Sequence, residues 1–246
     1  VFGGEELTPP QFGKVFISIK PRNGDFVPNL IKQNIKRSLK RYSVAGIVPE
    51  ILDLKYLFIE TNSKVYYNTN LAPSASFVST KVQRDLTTYA ESSELNKYGA
   101  RFKYSRFLKV IDSSHESVTS NITTVEMRRD LRLAVSEVAE YAIDFGNEFH
   151  VQSMNGFNIR SSAFRVLNIN TDVYLYDIPN STAEKGQISL FSLNEGSSTP
   201  VIQRRNIGVI DYKKGRITLD PINIVSGKSK DNVDILEISA TPESND

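Results

Sequence analysis

The stretch KVFISIKPRNGDFVPNLIKQNIKRSLKRY, Lys14 to Tyr42, decides the fold class, because its hydrophobic period changes partway along. Val15, Ile17 and Ile19 alternate with Phe16 and Ser18, which is the period of a pleated strand. Pro21-Arg22-Asn23-Gly24 then supplies turn chemistry. From Pro28 to Tyr42 the apolar residues Ile31, Ile35, Leu39 and Tyr42 recur at helical spacing. A helix is expected there, with proline in the first position, where its missing N–H costs nothing. Lys32, Lys36, Arg37, Lys40 and Arg41 fall mostly elsewhere around that helix, and Gly46 ends it. A strand feeding directly into a helix makes this part of the chain mixed α and β.

Upstream, residues 1–12 are expected to form an extended arm, since Gly3-Gly4 and Pro9-Pro10 oppose both helix and ladder. Phe2 and Phe12 gain little by staying in water, so the arm docks on a neighbouring molecule or folds back on its own domain. Downstream, Ile51–Tyr67 is β-rich, with a hairpin turn expected at Thr61-Asn62-Ser63. A second helix starts near Ser74 or Ser76 and carries Val78, Val82, Leu86 and Tyr89 on one face. It ends around Ser93–Tyr98. A short basic helix is expected over Lys103–Asp112 and a long strand over Ser117–Arg132.

This order, β-α-β-β-α-(α)-β, is that of a split βαβ arrangement: a mixed sheet with helices on one face. From Glu137 onward helical periodicity is absent. Strands are expected at 139–145, 163–167, 173–176, 187–193, 201–203, 208–211, 216–219 and 233–239, with turns at Ile178–Asn180 and Asn194–Gly196. Tyr212-Lys213-Lys214-Gly215 is the clearest hairpin, with Gly215 where a positive φ is needed. The expected fold class is therefore α+β. An arm (1–12) leads into an α+β domain (13–135), a mostly β C-terminal region (136–240) and a flexible tail (241–246).

Composition narrows the function. With 246 residues the chain can bury a large core unaided. Thirty Lys and Arg stand against 28 Asp and Glu, too even a balance to argue for nucleic acid or membrane from bulk charge. Cysteine is absent, which excludes a disulfide scaffold, a thiolate metal site and a cysteine nucleophile. Two histidines, His115 and His150, are too few for a multi-histidine metal centre. Apolar runs fall short of a membrane span and no leader is visible. Because Val1 rather than methionine comes first, the chain is expected to be processed or cut from something longer. Asn121-Ile122-Thr123 and Asn180-Ser181-Thr182 fit the glycosylation pattern and are taken as coincidental.

The search for chemistry is short. Ser113-Ser114-His115-Glu116 offers triad residue types, but sequence neighbours do not face one another as serine activation requires, and the stretch reads as a polar loop. Glu148 and His150 share a strand face and could hold an ion weakly, although His150 reads better as an ordinary sheet residue. Neither Gly3-Gly4 nor Asn23-Gly24 makes a phosphate loop. No spacing brings a catalytic carboxylate pair together. The remaining bottom-up alternative is a basic RNA- or DNA-binding module with a ferredoxin-like domain. It would use Phe16 as a stacking aromatic and the acid-free run Lys97–Lys109 on phosphates, but the second aromatic motif such domains carry is missing. Eleven Tyr and 13 Phe, with Arg and without a reacting centre, suit an assembly component.

Six blocks carry a resemblance. They are VFGGEELTPPQFGKVFISIKP (1–21), YLFIETNSKVYYNTNLAPS (56–74), YAESSELNKYGARFKYSRF (89–107), IDSSHESVTSNITTVEMRRDL (111–131), FGNEFHVQSMNGFNIRSSAF (145–164) and GVIDYKKGRITL (208–219). The chain they span is similar to the C-terminal part of the inner-ring baseplate wedge subunits of T-even-type contractile-tail bacteriophages, within the baseplate-J-like group.

The resemblance implies a structural, non-enzymatic virion protein without a cofactor, metal or catalytic residues. It would be assembled in the bacterial host cytoplasm into the tail baseplate. It would form an inner ring around the tail tube as a homodimer and a ring of dimers, contact other wedge proteins, and rearrange when the sheath contracts. Nucleic acid and membrane are not implied partners. Candidate interface residues are Phe2 and Phe12 in the arm, the run Arg128-Arg129-Asp130, and Tyr212, Lys213 and Arg216 around the hairpin. A hinge near Arg132–Ala139 would let one contact hold while another rotates.

Overall fold

The computed structural model describes residues 1–6, 10–21, 24–43, 46–194 and 199–244. Residues 22–23 of the expected turn at Pro21–Gly24, residues 195–196 of the one at Asn194–Gly196, part of the arm and the last two tail residues lie outside the described residues. Two compact units emerge: Val1–Tyr56 with Ser229–Asp234, and Leu57–Lys228 with Ile235–Asp246. The junction expected at 135/136 lies inside the second unit.

The first unit contains β1 (Phe2–Gly3), β2 (Lys14–Ser18), α1 (Asn29–Lys40) and β3 (Val48–Leu52). Strand β2 pairs parallel with β3, as a helical crossover requires. The arm folds back: β1 adds antiparallel to β2 with Phe2 opposite Phe16, and the two rings stack at 5.4 Å. Gln11 N–H donates to the Gly4 carbonyl at 2.8 Å, closing the loop behind it. Helix α1 is tied to the β3 region by Lys36–Glu50 (2.9 Å) and Lys32–Asp53 (2.6 Å). Its expected apolar stripe is shallow. Ile35 and Leu39 are half-buried, whereas Leu30, Ile31 and Tyr42 are exposed. Phe16, Val27 and Pro49 are the unit's buried apolar side chains among the described residues.

The second unit begins with β4 (Phe58–Tyr67), α2 (Ala75–Glu91), α3 (Tyr104–Asp112) and β5 (Val118–Arg132). It continues through β6 (Val138–Asp144), β7 (Ile159–Ser161), β8 (Arg165–Val166), β9 (Tyr174–Pro179) and β10 (Lys185–Leu193). Then follow β11 (Pro200–Asp211), β12 (Arg216–Ser226), β13 (Lys228–Lys230) and β14 (Val233–Ala240). The tip of the β13–β14 hairpin is grouped with the first unit. One sheet runs β13-β14-β5-β4 with β7 on β14; the other runs β6-β12-β11-β10-β9 with β8 on β12. The fold is thus α+β with a mostly β C-terminal region. Its N-terminal helices and strands divide between two sheets, β2-α1-β3 in one and β4-α2-α3-β5 in the other.

Two hydrophobic clusters fill the second unit, and β5 serves both. Val78, Val82, Tyr89, Phe107 and Ile111 of α2 and α3 pack near Val65 and Val118. Further along β5, Met127 joins the larger cluster, with Ile188, Leu190, Ile217, Leu219 and Leu236. The hairpin turn expected at Thr61–Ser63 does not form. Those residues continue β4 and lie opposite Val125, Thr124 and Thr123, with Ser63 and Thr123 hydroxyls 2.8 Å apart. The expected hinge at 132–139 is pinned as well. Leu133 is buried, Ala134 N–H donates to Tyr141 Oη (3.1 Å), and Ser136 N–H to the Ile224 carbonyl (2.8 Å).

Candidate assembly surface

The most constrained local structure of the second unit is built around one buried carboxylate. Asp177, on β9, is fully buried. It accepts from Tyr212 Oη (2.6 Å), Asn158 N (2.8 Å), Asn158 Nδ2 (2.7 Å) and Ile159 N (3.0 Å). Four donors on one carboxylate compensate its removal from water. They also fix the loop that precedes β7. Ser153 and Asn158 bond each other twice, through Ser153 N to Asn158 Oδ1 and Asn158 Nδ2 to the Ser153 carbonyl. Gly156 is required in that loop: its φ is +92°, and an added Cβ would sit 2.0 Å from the Asp177 carbonyl oxygen.

This frame holds Phe157 at φ +64°, a left-handed conformation that a bulky residue seldom adopts. The ring lands on an aromatic cluster. It stacks on Tyr176 (5.1 Å between centroids, 20°) and meets Phe191 edge-on (5.4 Å). Tyr174 stacks on Phe191 from the adjacent strand (5.4 Å). Phe191 lies opposite Tyr174 of β9 and opposite Ile202 of β11, so the platform continues onto β11. Phe157 remains 49% exposed, Leu193 47% and Ile202 42%, while Tyr176 beneath them is buried. A rigid, half-exposed aromatic surface of this kind loses little entropy on binding, which is how interface anchors work.

The residues expected at an interface fall elsewhere. Tyr212 is 1% exposed and belongs to the core. Burial foremost, then its bond to the Asp177 carboxylate, pushes its phenol far above the ordinary tyrosine range. This corrects its expected interface role: a side chain that closes an interior network has no surface to offer. Asp130 is 3% exposed at its side chain and lies 3.0 Å from Arg128. Arg128 also reaches Glu60 at 2.5 Å and covers the Phe58 ring at 4.7 Å. Burial lowers the Arg129 pKa, which the Asp144 charge partly offsets. The run 128–130 is thus cross-strand structure. Lys213 and Arg216 do lie at the surface, paired with Glu184 and Asp144. Phe2 is stacked within its own unit, while Phe12 is 81% exposed. The aromatic platform was missed by sequence reasoning. Its one signal was the Asn155-Gly156-Phe157-Asn158 turn chemistry, uninterpretable before β9 and β10 are seen to lie beside it.

Other candidates resolve structurally. His115 Nδ1 lies 2.8 Å from Ser117 Oγ, but that serine is fully buried in the turn before β5, and Ser114 Oγ donates to the Ile111 carbonyl. His150 pairs with Glu243 at 2.7 Å rather than with Glu148. Among the described residues, no group of three or more His, Asp or Glu is placed to hold a metal. Phe16 is 5% exposed, so it offers no stacking face to a base. No described helix is long and apolar enough to cross a membrane.

Comparison with known proteins finds similarity over much of the chain. Residues 1–52 match the family described as baseplate structural protein gp6, C-terminal domain I. Residues 55–130 match that of baseplate structural protein gp6, C-terminal domain III. The break between the matches falls where the first compact unit ends, at Tyr56. The baseplate wedge protein gp6 of Enterobacteria phage T4 is 30% identical over 172 residues, 68% of this chain and 26% of that relative. The chain therefore aligns over about a quarter of the length of that relative.

Proposed function

This chain belongs to the gp6 baseplate structural protein family, as its C-terminal part, and from that premise we propose that it builds the inner ring of a contractile-tail baseplate. It does so by self-association and by contact with other wedge subunits, and it changes conformation when the sheath contracts. Its work is mechanical rather than catalytic. Assembly takes place in the host cytoplasm before the virion is complete.

One observation carries this: each compact unit leaves several large apolar side chains exposed. On the first unit Phe12, Leu30, Ile31, Tyr42, Val48 and Leu52 are exposed. On the second, Phe157, Leu193, Val201 and Ile202 are. Exposed apolar side chains in such number are what interaction sites are made from. A closed ring of dimers needs two different self-contacts, or one self-contact with a second partner between pairs. Two surfaces satisfy that geometry. We assign the first to self-association and the second to a neighbouring wedge subunit.

Sedimentation velocity of the chain tests the assignment. A dimer is expected at micromolar concentration, persisting at high salt, with Leu30→Glu and Tyr42→Glu giving a monomer. A monomer across the whole concentration range would overturn it.

A further inference from the structure

The second surface has an open edge as well as an apolar face. β12 pairs with β11 only from Gly208 to Asp211, opposite Leu219 to Arg216. It then turns away, with Ile222 opposite Ala139 of β6 and Ile224 opposite Val166 of β8. Among the described residues, Pro200 to Arg204 are therefore paired on one side alone, with β10, and all residues from Pro200 to Asn206 are exposed. The departure is built in. Asn206 has φ +54° and donates its N–H to Ser189 Oγ at 3.3 Å, where the β10–β11 register shifts.

We propose that the β11 edge from Val201 to Arg205 accepts an extended, carboxylate-bearing segment of another protein as an added strand, its apolar side chains packing beside Ile202 and extending the apolar face that Phe191 and Phe157 form over β10 and β9. Charge selects this occupant. Arg204 and Arg205 have no carboxylate within ion-pair distance among the described residues, whereas Arg128, Arg160, Arg165 and Arg216 each have one. Two copies of this edge laid together would crowd four guanidiniums without a counter-charge, which disfavours self-pairing here. A strand alternating apolar and acidic residues satisfies main chain, face and charge at once, the recognition mode of strand addition. Beneath this face Tyr176 is 3% exposed, and its hydroxyl has no hydrogen-bond partner among the described residues. The inference deepens the assembly role proposed above and rests on it, by naming the chemistry of the neighbour at the second surface.

The test uses the full chain and two synthetic ten-residue peptides, fluorescein-labelled. Both alternate Val and Phe with a charged residue, which is Glu in one and Lys in the other. Fluorescence anisotropy is expected to show the Glu peptide binding roughly tenfold or more tightly than the Lys peptide. The Arg204→Glu/Arg205→Glu double variant should reverse that preference. Amide exchange at residues 201–205 should slow when the Glu peptide is bound. Equal binding of the two peptides, or protection that omits 201–205, would overturn the proposal. Thermal melts of the double variant matching the parent keep misfolding out of the comparison. Sedimentation of the same variant separates the two ideas. A dimer that no longer binds the Glu peptide supports this site. Peptide binding by a parent chain that never dimerises defeats the self-association while leaving this edge standing.

Discussion

At the scale of single residues, Asp177 is the position on which most depends, and its neighbours give sharp expectations. Tyr212→Phe removes one of four donors from a buried carboxylate, and about 1.5–3 kcal/mol of unfolding free energy should be lost in urea titration. The same pair predicts alkaline behaviour. Tyr212 ionises in the unfolded chain near the ordinary tyrosine value of 10.0 but well above it when folded, chiefly through burial and then through Asp177. Above about pH 10 the unfolded state has released a proton that the folded state retains, so stability must fall as pH rises. That decline should flatten in Tyr212→Phe, as denaturation midpoints between pH 9 and 11 would show. Phe157→Gly should behave differently. It relieves a left-handed φ of order 1 kcal/mol while removing stacking, so monomer stability should change little. Little of this was legible beforehand. Tyr212 and Asp177 are 35 residues apart, and nothing local distinguishes a tyrosine that closes a buried network from one that meets a partner.

At the scale of elements, the sequence was readable wherever local chemistry and tertiary pairing agreed. Ser74 caps α2, accepting from Phe77 N–H at 3.2 Å, as the residue types before the apolar stripe suggest. Ser74→Ala should cost about 1 kcal/mol in thermal or urea unfolding. The hairpin after β11 forms at 212–215 with Gly215 at φ +60°, the conformation its position called for. An added Cβ there would also lie 1.8 Å from the Asn147 carbonyl oxygen. Gly215→Ala should therefore cost more than the ~1 kcal/mol of backbone strain alone, a loss that a melting-temperature comparison with Lys214→Ala would register. Thr61-Asn62-Ser63 misled because its residue types favour turns, yet nine successive β5 partners, Arg128 to Ser120, carry β4 through it. β7 and β13 are too short for any period to reveal them.

At the scale of the whole molecule, the division into units followed a signal that sequence patterning does not carry. Helical periodicity is absent from Glu137 onward, and a break was expected at 135/136. Packing does not break there, because β5 contributes side chains to both clusters of the second unit. The division instead comes after β3, at Tyr56. Both large clusters therefore lie beyond residue 56, and the first unit buries little more than Phe16, Val27 and Pro49 among its described residues. Thin cores of that size are marginal alone and gain from association. A chain beginning at Leu57 should then keep a cooperative melt but sediment as a monomer, because the surface assigned to self-association is gone. It should still bind the Glu peptide, because the β11 edge and the Asp177 frame are intact. Raising salt from 50 to 500 mM should weaken that peptide binding, since exposed guanidinium–carboxylate pairs are screened, yet leave the full-length dimer, held by apolar contact, nearly unchanged. A dimer that dissolves with salt as steeply as the peptide does would mean that charge, not buried apolar surface, joins the copies.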